Sequence, residues 1–309
     1  MVMRKASPET DQISRSILQK AIRRGDLELT KKAIDFIIQD NDFDWMRKRL
    51  AVMTFEECWT YGLEVSYEKD EKIISNHYLK LVNTVKNKNA AGLGSLAYAL
   101  SEGDESVFQK NPSDRAIRII AEAIKRPKDF WEWVHSQAKD DKQKLLVENA
   151  DKGFRKAGWP WDRAFAQAAA YLAVTDEIPA TVYVEPKSDP SFPIWVGIDK
   201  HTREGKEAIR EAAKRIGFNA NKALWLAFYF ESAKCNQIIK SPWWDREINW
   251  RMQKLELDVD KGKKIWEELK PIVIELLKDE EIKLKEKLFS VKTNVVPVKP
   301  IQSSLFLKK

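Results

Sequence analysis

Residues 13–62 constrain the fold more than any other stretch, because apolar side chains recur there at helical spacing between strong helix punctuation. Ser7 can cap a helix, Pro8 suits its first position, and Glu9 favours the positive end of its dipole. Ile13, Ile17, Ala21 and Ile22 then share one face. Gly25 predicts the end of that helix and Asp26 the cap of the next, whose inner face is Ala33, Ile34, Ile37 and Ile38. A turn at Asp40, Asn41 and Asp42 leads into a third helix, with Phe43, Met46, Leu50, Met53 and Trp59 inward. None of these helices buries its stripe alone, so the three must pack together.

Between the stripes lie Lys20, Arg23, Arg24, Arg47, Lys48 and Arg49, which predict a basic surface on a rigid helical frame. Such a surface suits DNA phosphates or an acidic partner. The plain alternative is a solvated face with incidental charge. Overall, 54 Lys and Arg against 47 Asp and Glu leave a net charge of +7, which permits nucleic-acid contact without demanding it.

The strings "LQKAIRRGDLELTKKAIDFI" and "DFDWMRKRLAVMTFEECWTYG" resemble the helical domain that follows the ATPase core in replication-associated recombination ATPases of the RarA type, relatives of sliding-clamp loaders. The shared features are a "QKAIRRGD" turn and, on the third helix, Arg49-Leu50-Ala51-Val52 followed by Glu56-Glu57. Residues 161–184, "WDRAFAQAAAYLAVTDEIPATVYV", resemble a segment that helps those proteins oligomerise. The resemblance implies a collar-like helical bundle, a homo-oligomer and a place in DNA replication or repair. It does not extend to ATP hydrolysis, because no G-x-x-x-x-G-K-[ST] occurs and Lys187-Ser188 follows Glu185-Pro186 instead of a glycine loop. The expectation is therefore a non-enzyme without cofactor, with a separate replication ATPase as a possible partner.

A 309-residue chain with 43% hydrophobic content and 12 Trp has enough apolar surface for a real core. Cys58 and Cys235, far apart on predicted helices, read as buried thiols, not a bridge. No apolar run reaches membrane-spanning length and the first dozen residues carry no apolar signal core, so the expected location is cytoplasmic, without a membrane partner.

Further along, residues 67–86 predict a helix with His77 beside its apolar face, more simply a packed histidine than a functional one. Residues 89–100 are small enough to let helices approach closely. Phe130, Trp131 and Trp133 could stack bases, but helical spacing favours core. His135 has no Cys or His at ligand spacing, so no metal site is expected. β-Branched residues at 181–184 and 194–198 predict two short strands. Asp199, His201 and Thr202 form the most enzyme-like string, with Thr202 as nucleophile in one reading and as helix cap in the other. Capping accounts for every polar residue there. Helices are predicted over 203–216, 219–234 and 260–288, the last containing Pro271.

From residue 290 the pattern changes to "SVKTNVVPVKPIQSSLFLKK", read as a flexible tail. Gln302-Ser303-Ser304-Leu305-Phe306 resembles the short clamp-binding peptide of bacterial replication proteins. Leu305 and Phe306 would fill an apolar cleft and the Gln302 amide would bond at its rim. The alternative is a tail that docks back on its own domain. The expected organisation is thus mainly α, a multi-helix collar-like bundle with a small two-stranded β element. Its segments are a helical collar-like domain (1–88), a helical oligomerisation-like region (89–185), a helical region with the β element (186–289) and the tail (290–309). A rival function is a clamp-tethered nuclease, with Asp44, Glu56 and Glu57 as candidate carboxylates; another is a scaffold with no DNA affinity.

Overall fold

The computed structural model describes residues 8–108 and 114–290, and these are mainly helical. In chain order the α-helices are α1 (Pro8–Arg24), α2 (Leu27–Gln39), α3 (Phe43–Glu57), α4 (Glu71–Val82), α5 (Asn89–Ser101), α6 (Arg115–Lys125) and α7 (Pro127–Gln137). There follow α8 (Asp141–Lys156), α9 (Pro160–Thr175), α10 (Arg203–Arg215), α11 (Ala220–Ala227), α12 (Pro242–Lys254) and α13 (Val259–Ser290). A single π-helical turn, Phe228–Ser232, continues α11.

The first three helices form for the reasons their sequence supplies. Gly25 takes φ +73°, a left-handed turn that stops α1, and the Asp26 carboxylate accepts the Leu29 N–H at 2.8 Å to start α2. Ile17, Ala21, Ile22, Ala33, Ile34, Ile37, Met46, Leu50 and Met53 are all buried. Trp59 is buried too, on the 3₁₀ turn Trp59–Leu63 that follows α3. Asp70, Asp140 and Thr202 cap α4, α8 and α10 in the same manner.

α5 lies at the centre, in contact with α6, α9 and α12. Small residues make this possible. A Cβ on Gly92 would fall 2.3 Å from the backbone of Trp243 and Trp244, and one on Gly94 would fall 2.8 Å from the Ala164 carbonyl. The same geometry corrects an expectation about α9. Its residues Ala164, Ala166, Ala168, Ala169, Ala170 and Ala173 are buried against helices of their own chain, so they offer no surface for oligomerisation. One contiguous apolar core runs from α1 through α13.

The expected β element is also corrected. Among the described residues there are isolated β-bridges but no strand. Residues around Tyr183 run beside Asn83 and Val85, joined by two backbone hydrogen bonds of 2.8 Å. Residues Ile194–Gly197 wind into a 3₁₀ turn instead. The physical reason is burial. Ile194, Trp195 and Val196 are all enclosed between α1 and α13, which the alternating faces of a strand with one solvated side cannot satisfy. Pro271 neither divides nor ends α13, which runs unbroken for 32 residues. No helix among the described residues is long and apolar enough to cross a membrane.

Candidate functional site

Lys20, Arg23 and Arg24 lie on the last turns of α1, which other elements surround on nearly every side. All three are buried, and each meets an acid brought from far along the chain. Lys20 Nζ lies 2.5 Å from Asp199 Oδ2 and 2.8 Å from Ser16 Oγ. Arg23 spreads its fork over Glu56, Glu57 and, at 3.0 Å, the carbonyl of Ser232. Arg24 donates to the Glu231 carboxylate at 2.7 Å and to its carbonyl at 3.0 Å. Lys88 lies 3.4 Å from Glu57, and Arg49 bridges Glu56 and Asp162 at 3.1 Å each. The network ties α1 to α3, α9 and the π-turn.

With Arg49 also drawn inward, this overturns most of the expected DNA-contact surface. Lys20, Arg23 and Arg24 are buried and each is paired with a carboxylate of its own chain, which leaves them little face for phosphate. Burial lowers the Lys20 ammonium despite Asp199. It works against the Arg23 charge as well, but Glu56 and Glu57 overcome it and the guanidinium is held more firmly protonated than usual. Burial alone would raise Glu56; Arg23 and then Arg49 hold it down to about 2. Glu56 and Glu57 are thus countercharges, which removes them from the metal-ligand role considered for a nuclease. Among the described residues no group of three or more His, Cys, Asp or Glu could hold a metal ion.

The π-turn supplies residues that helical spacing did not reveal. It turns Tyr229, Glu231 and Ser232 inward together. Glu231 serves Arg24, Lys270 at 3.0 Å and the Trp266 indole at 3.2 Å, while Ser232 Oγ donates to Asp199 at 3.1 Å. Tyr229 donates to Glu247, a fully enclosed carboxyl of α12 pushed up to about 7 by burial. Lys86 fills the space below α4, donating to the carbonyls of Leu81 and Thr84 at 2.9 and 2.7 Å. The only available sequence signal was polar residues set within apolar helix faces, such as Glu231 after Phe228, Tyr229 and Phe230.

At the corner before α10, Thr202 is a cap. Its Oγ1 accepts the Gly205 N–H at 3.1 Å and donates to the Asp199 carbonyl at 2.9 Å, so its one proton is committed. His201 Nδ1 stands 3.0 Å from Asp199 Oδ1, with its side chain 51% exposed. Burial works to raise the Asp199 carboxyl, but Lys20 and His201 hold it well below the usual range. The arrangement is an oriented histidine without an adjacent nucleophile. His77 is a packed group, bonded to the Tyr61 hydroxyl at 2.8 Å and the Ser66 N–H at 3.0 Å, and burial lowers it to about 4. Phe130 and Trp131 are core residues, as are Trp244 and Trp250.

What remains on the surface is smaller and differently composed. Arg47 and Lys48 both reach Asp44, at 2.7 and 2.5 Å, and Lys48 is 57% exposed. Arg49 turns inward to the network. Lys156, at the end of α8, stands 5.7 Å above the Tyr67 ring, and its charge is disfavoured by burial and then by Arg47 and Lys69 nearby. Three residues on, Trp159 is 75% exposed at the α8–α9 elbow. Gln302, Leu305 and Phe306 lie outside the described residues. Comparison with protein-family models, with curated proteins and with solved structures finds no match to this chain.

Proposed function

We propose that the chain is a non-catalytic accessory of DNA replication or repair, related to the helical, non-ATPase part of RarA-type proteins and moored to a sliding clamp. The single observation that carries this reading is the string Gln302-Ser303-Ser304-Leu305-Phe306, which joins an amide to two large apolar side chains in a segment rich in proline and lysine. DNA contact is assigned to the outer face of α3 and the end of α8. Arg47, Lys48, Lys69 and Lys156 gather positive charge there, and Trp159 offers an aromatic face for stacking. The buried network supports the reading indirectly, by holding that face on a stiff body.

One observation favours a second reading, a clamp-tethered enzyme. His201, half exposed and oriented by a buried Asp199, has the geometry of a general base. Labelled DNA incubated with magnesium or manganese separates the two. No turnover supports the accessory reading, and cleavage abolished by His201→Ala replaces it. Clamp binding is tested by full-length protein against immobilised clamp, where Leu305→Ala with Phe306→Ala must abolish the interaction.

A further inference from the structure

At the C-terminal end of α1 a cavity of about 420 Å³ opens where the Gly25 turn, the chain after α4, residues 184–192 and residues 236–237 come together. Backbone bonds hold these walls. The Lys86 N–H donates to the Gln237 carbonyl at 2.9 Å, and the Val184 N–H donates to the Asn83 carbonyl at 2.8 Å. Val82, Val184, Pro190 and Phe192 give the cavity apolar sides. That size and lining suit a small molecule held by a few polar groups.

Those polar groups are present and incompletely used. Arg24 lines the cavity with its side chain 6% exposed, and its guanidinium carbon stands 5.6 Å from the centre of the Phe192 ring. Both of its bonds to Glu231 leave from Nη2, while its buried Nε has no hydrogen-bond partner among the described residues. Gln237 Oε1, on the same lining, is a buried acceptor that also lacks a partner there. Buried donors and acceptors are nearly always paired. An unpartnered donor and an unpartnered acceptor on one cavity therefore ask for a ligand that accepts at one atom and donates at another.

The charge around them is also unbalanced. Glu231 answers both Arg24 and Lys270, at 2.7 and 3.0 Å. Lys86, buried on the same lining, donates to oxygens of Leu81, Val82 and Thr84 and meets no carboxylate among the described residues. Three cations thus stand against one carboxylate. The acids of the lining are engaged elsewhere. Asp26 caps α2 and offsets the positive end of its dipole, and Glu185 and Asp189 are exposed to solvent in the company of Lys187. A phosphate group brings a charge of about −1.5 to −2, several acceptor oxygens and, when singly protonated, a donor. An ionised carboxylate has no donor.

We propose that this cavity binds a small phosphorylated compound, whose phosphate oxygens accept from Arg24, whose hydroxyl donates to Gln237 and whose body lies along Phe192 and Pro190. The site stands apart from the clamp and DNA contacts proposed above, and its test involves neither.

The probe is inorganic phosphate, titrated calorimetrically at pH 7 into the full-length chain at fixed ionic strength, with acetate as the control anion. The expected result is saturable binding of one phosphate per chain, with acetate at least tenfold weaker. Gln237→Glu sets a carboxylate in the ligand's place and should weaken phosphate at least tenfold, with a melt within 1 °C of wild type. The wild-type chain supplies a second readout: the nitrogen–proton NMR signal of Arg24 Nε should move with phosphate and saturate at the same concentration. No saturable heat, equal affinity for acetate, undiminished binding by a folded Gln237→Glu or a stationary Arg24 Nε signal each overturns the site. If Gln237→Glu does not fold, the wild-type titrations and the Nε signal decide alone.

Discussion

Arg23 offers the sharpest test of the buried network. Arg23→Met keeps the length of the stem and removes the fork, leaving Glu57 with Lys88 at 3.4 Å and Glu56 with Arg49 at 3.1 Å. Removing one partner from a buried ion pair costs about 3–5 kcal/mol, mostly from the charge left behind. The Ser232 carbonyl also loses its 3.0 Å donor. Unfolding entropy near 2.1 cal/mol/K per residue, over 309 residues, makes each kcal/mol worth about 1.5 °C in Tm. The variant should therefore melt about 6 °C below wild type by circular dichroism. Arg23→Lys should also be destabilised, since one ammonium cannot span two carboxylates and a carbonyl. Acid provides a second handle. Glu56 ionises at about 2 in the fold against an ordinary 4.5, so its contribution is whole above pH 4.5 and fades as pH falls through 2. Arg23→Met should flatten that acid slope. A melt within 1 °C of wild type refutes the network, and an unchanged melt with weakened DNA binding restores Arg23 to the surface.

Glu247→Gln tests the enclosed carboxyl of α12. Between pH 4.5 and about 7 the folded state holds a proton that the unfolded state releases, so this group makes stability fall as pH rises. The variant should lose that slope and exceed wild type at pH 8 by up to about 3 kcal/mol, as read by denaturant titration; identical profiles refute it. Gly92→Ala places a methyl group on the Trp243–Trp244 backbone and should destabilise by about 3 kcal/mol; a neutral result means that α5 and α12 do not cross so closely. Lys48→Glu with Lys156→Glu should weaken DNA binding, flatten its salt dependence and leave the melt in place. Unaltered anisotropy curves would dismiss the outer face as a DNA contact.

The helices were legible because their signals are local. Asp, Gly and Thr punctuation together with the apolar stripes located the cores of α1, α2, α3 and α10 from neighbouring residues alone. Local polarity misleads where a charge is neutralised from afar. Lys20 meets Asp199 from 179 positions away and Arg24 meets Glu231 from 207, and no spacing rule connects them. Each looked like surface, because a cation without a visible partner usually is. Residues 194–198 misled in a related way. β-Branched composition describes what can be buried, and the fold buried it in a turn. The Thr202 cap was readable for the opposite reason, since its partner Gly205 lies three residues away.

Engagement of a sliding clamp through Gln302, Leu305 and Phe306 is the most consequential of the proposed interactions. Isothermal titration of an isolated 291–309 peptide against purified clamp measures this free of the body and of DNA. The expected result is saturable binding with one peptide per clamp subunit, lost when Leu305 and Phe306 become alanine and weakened when Gln302 does. Heat signals no larger than dilution, or binding indifferent to those three side chains, would contradict it.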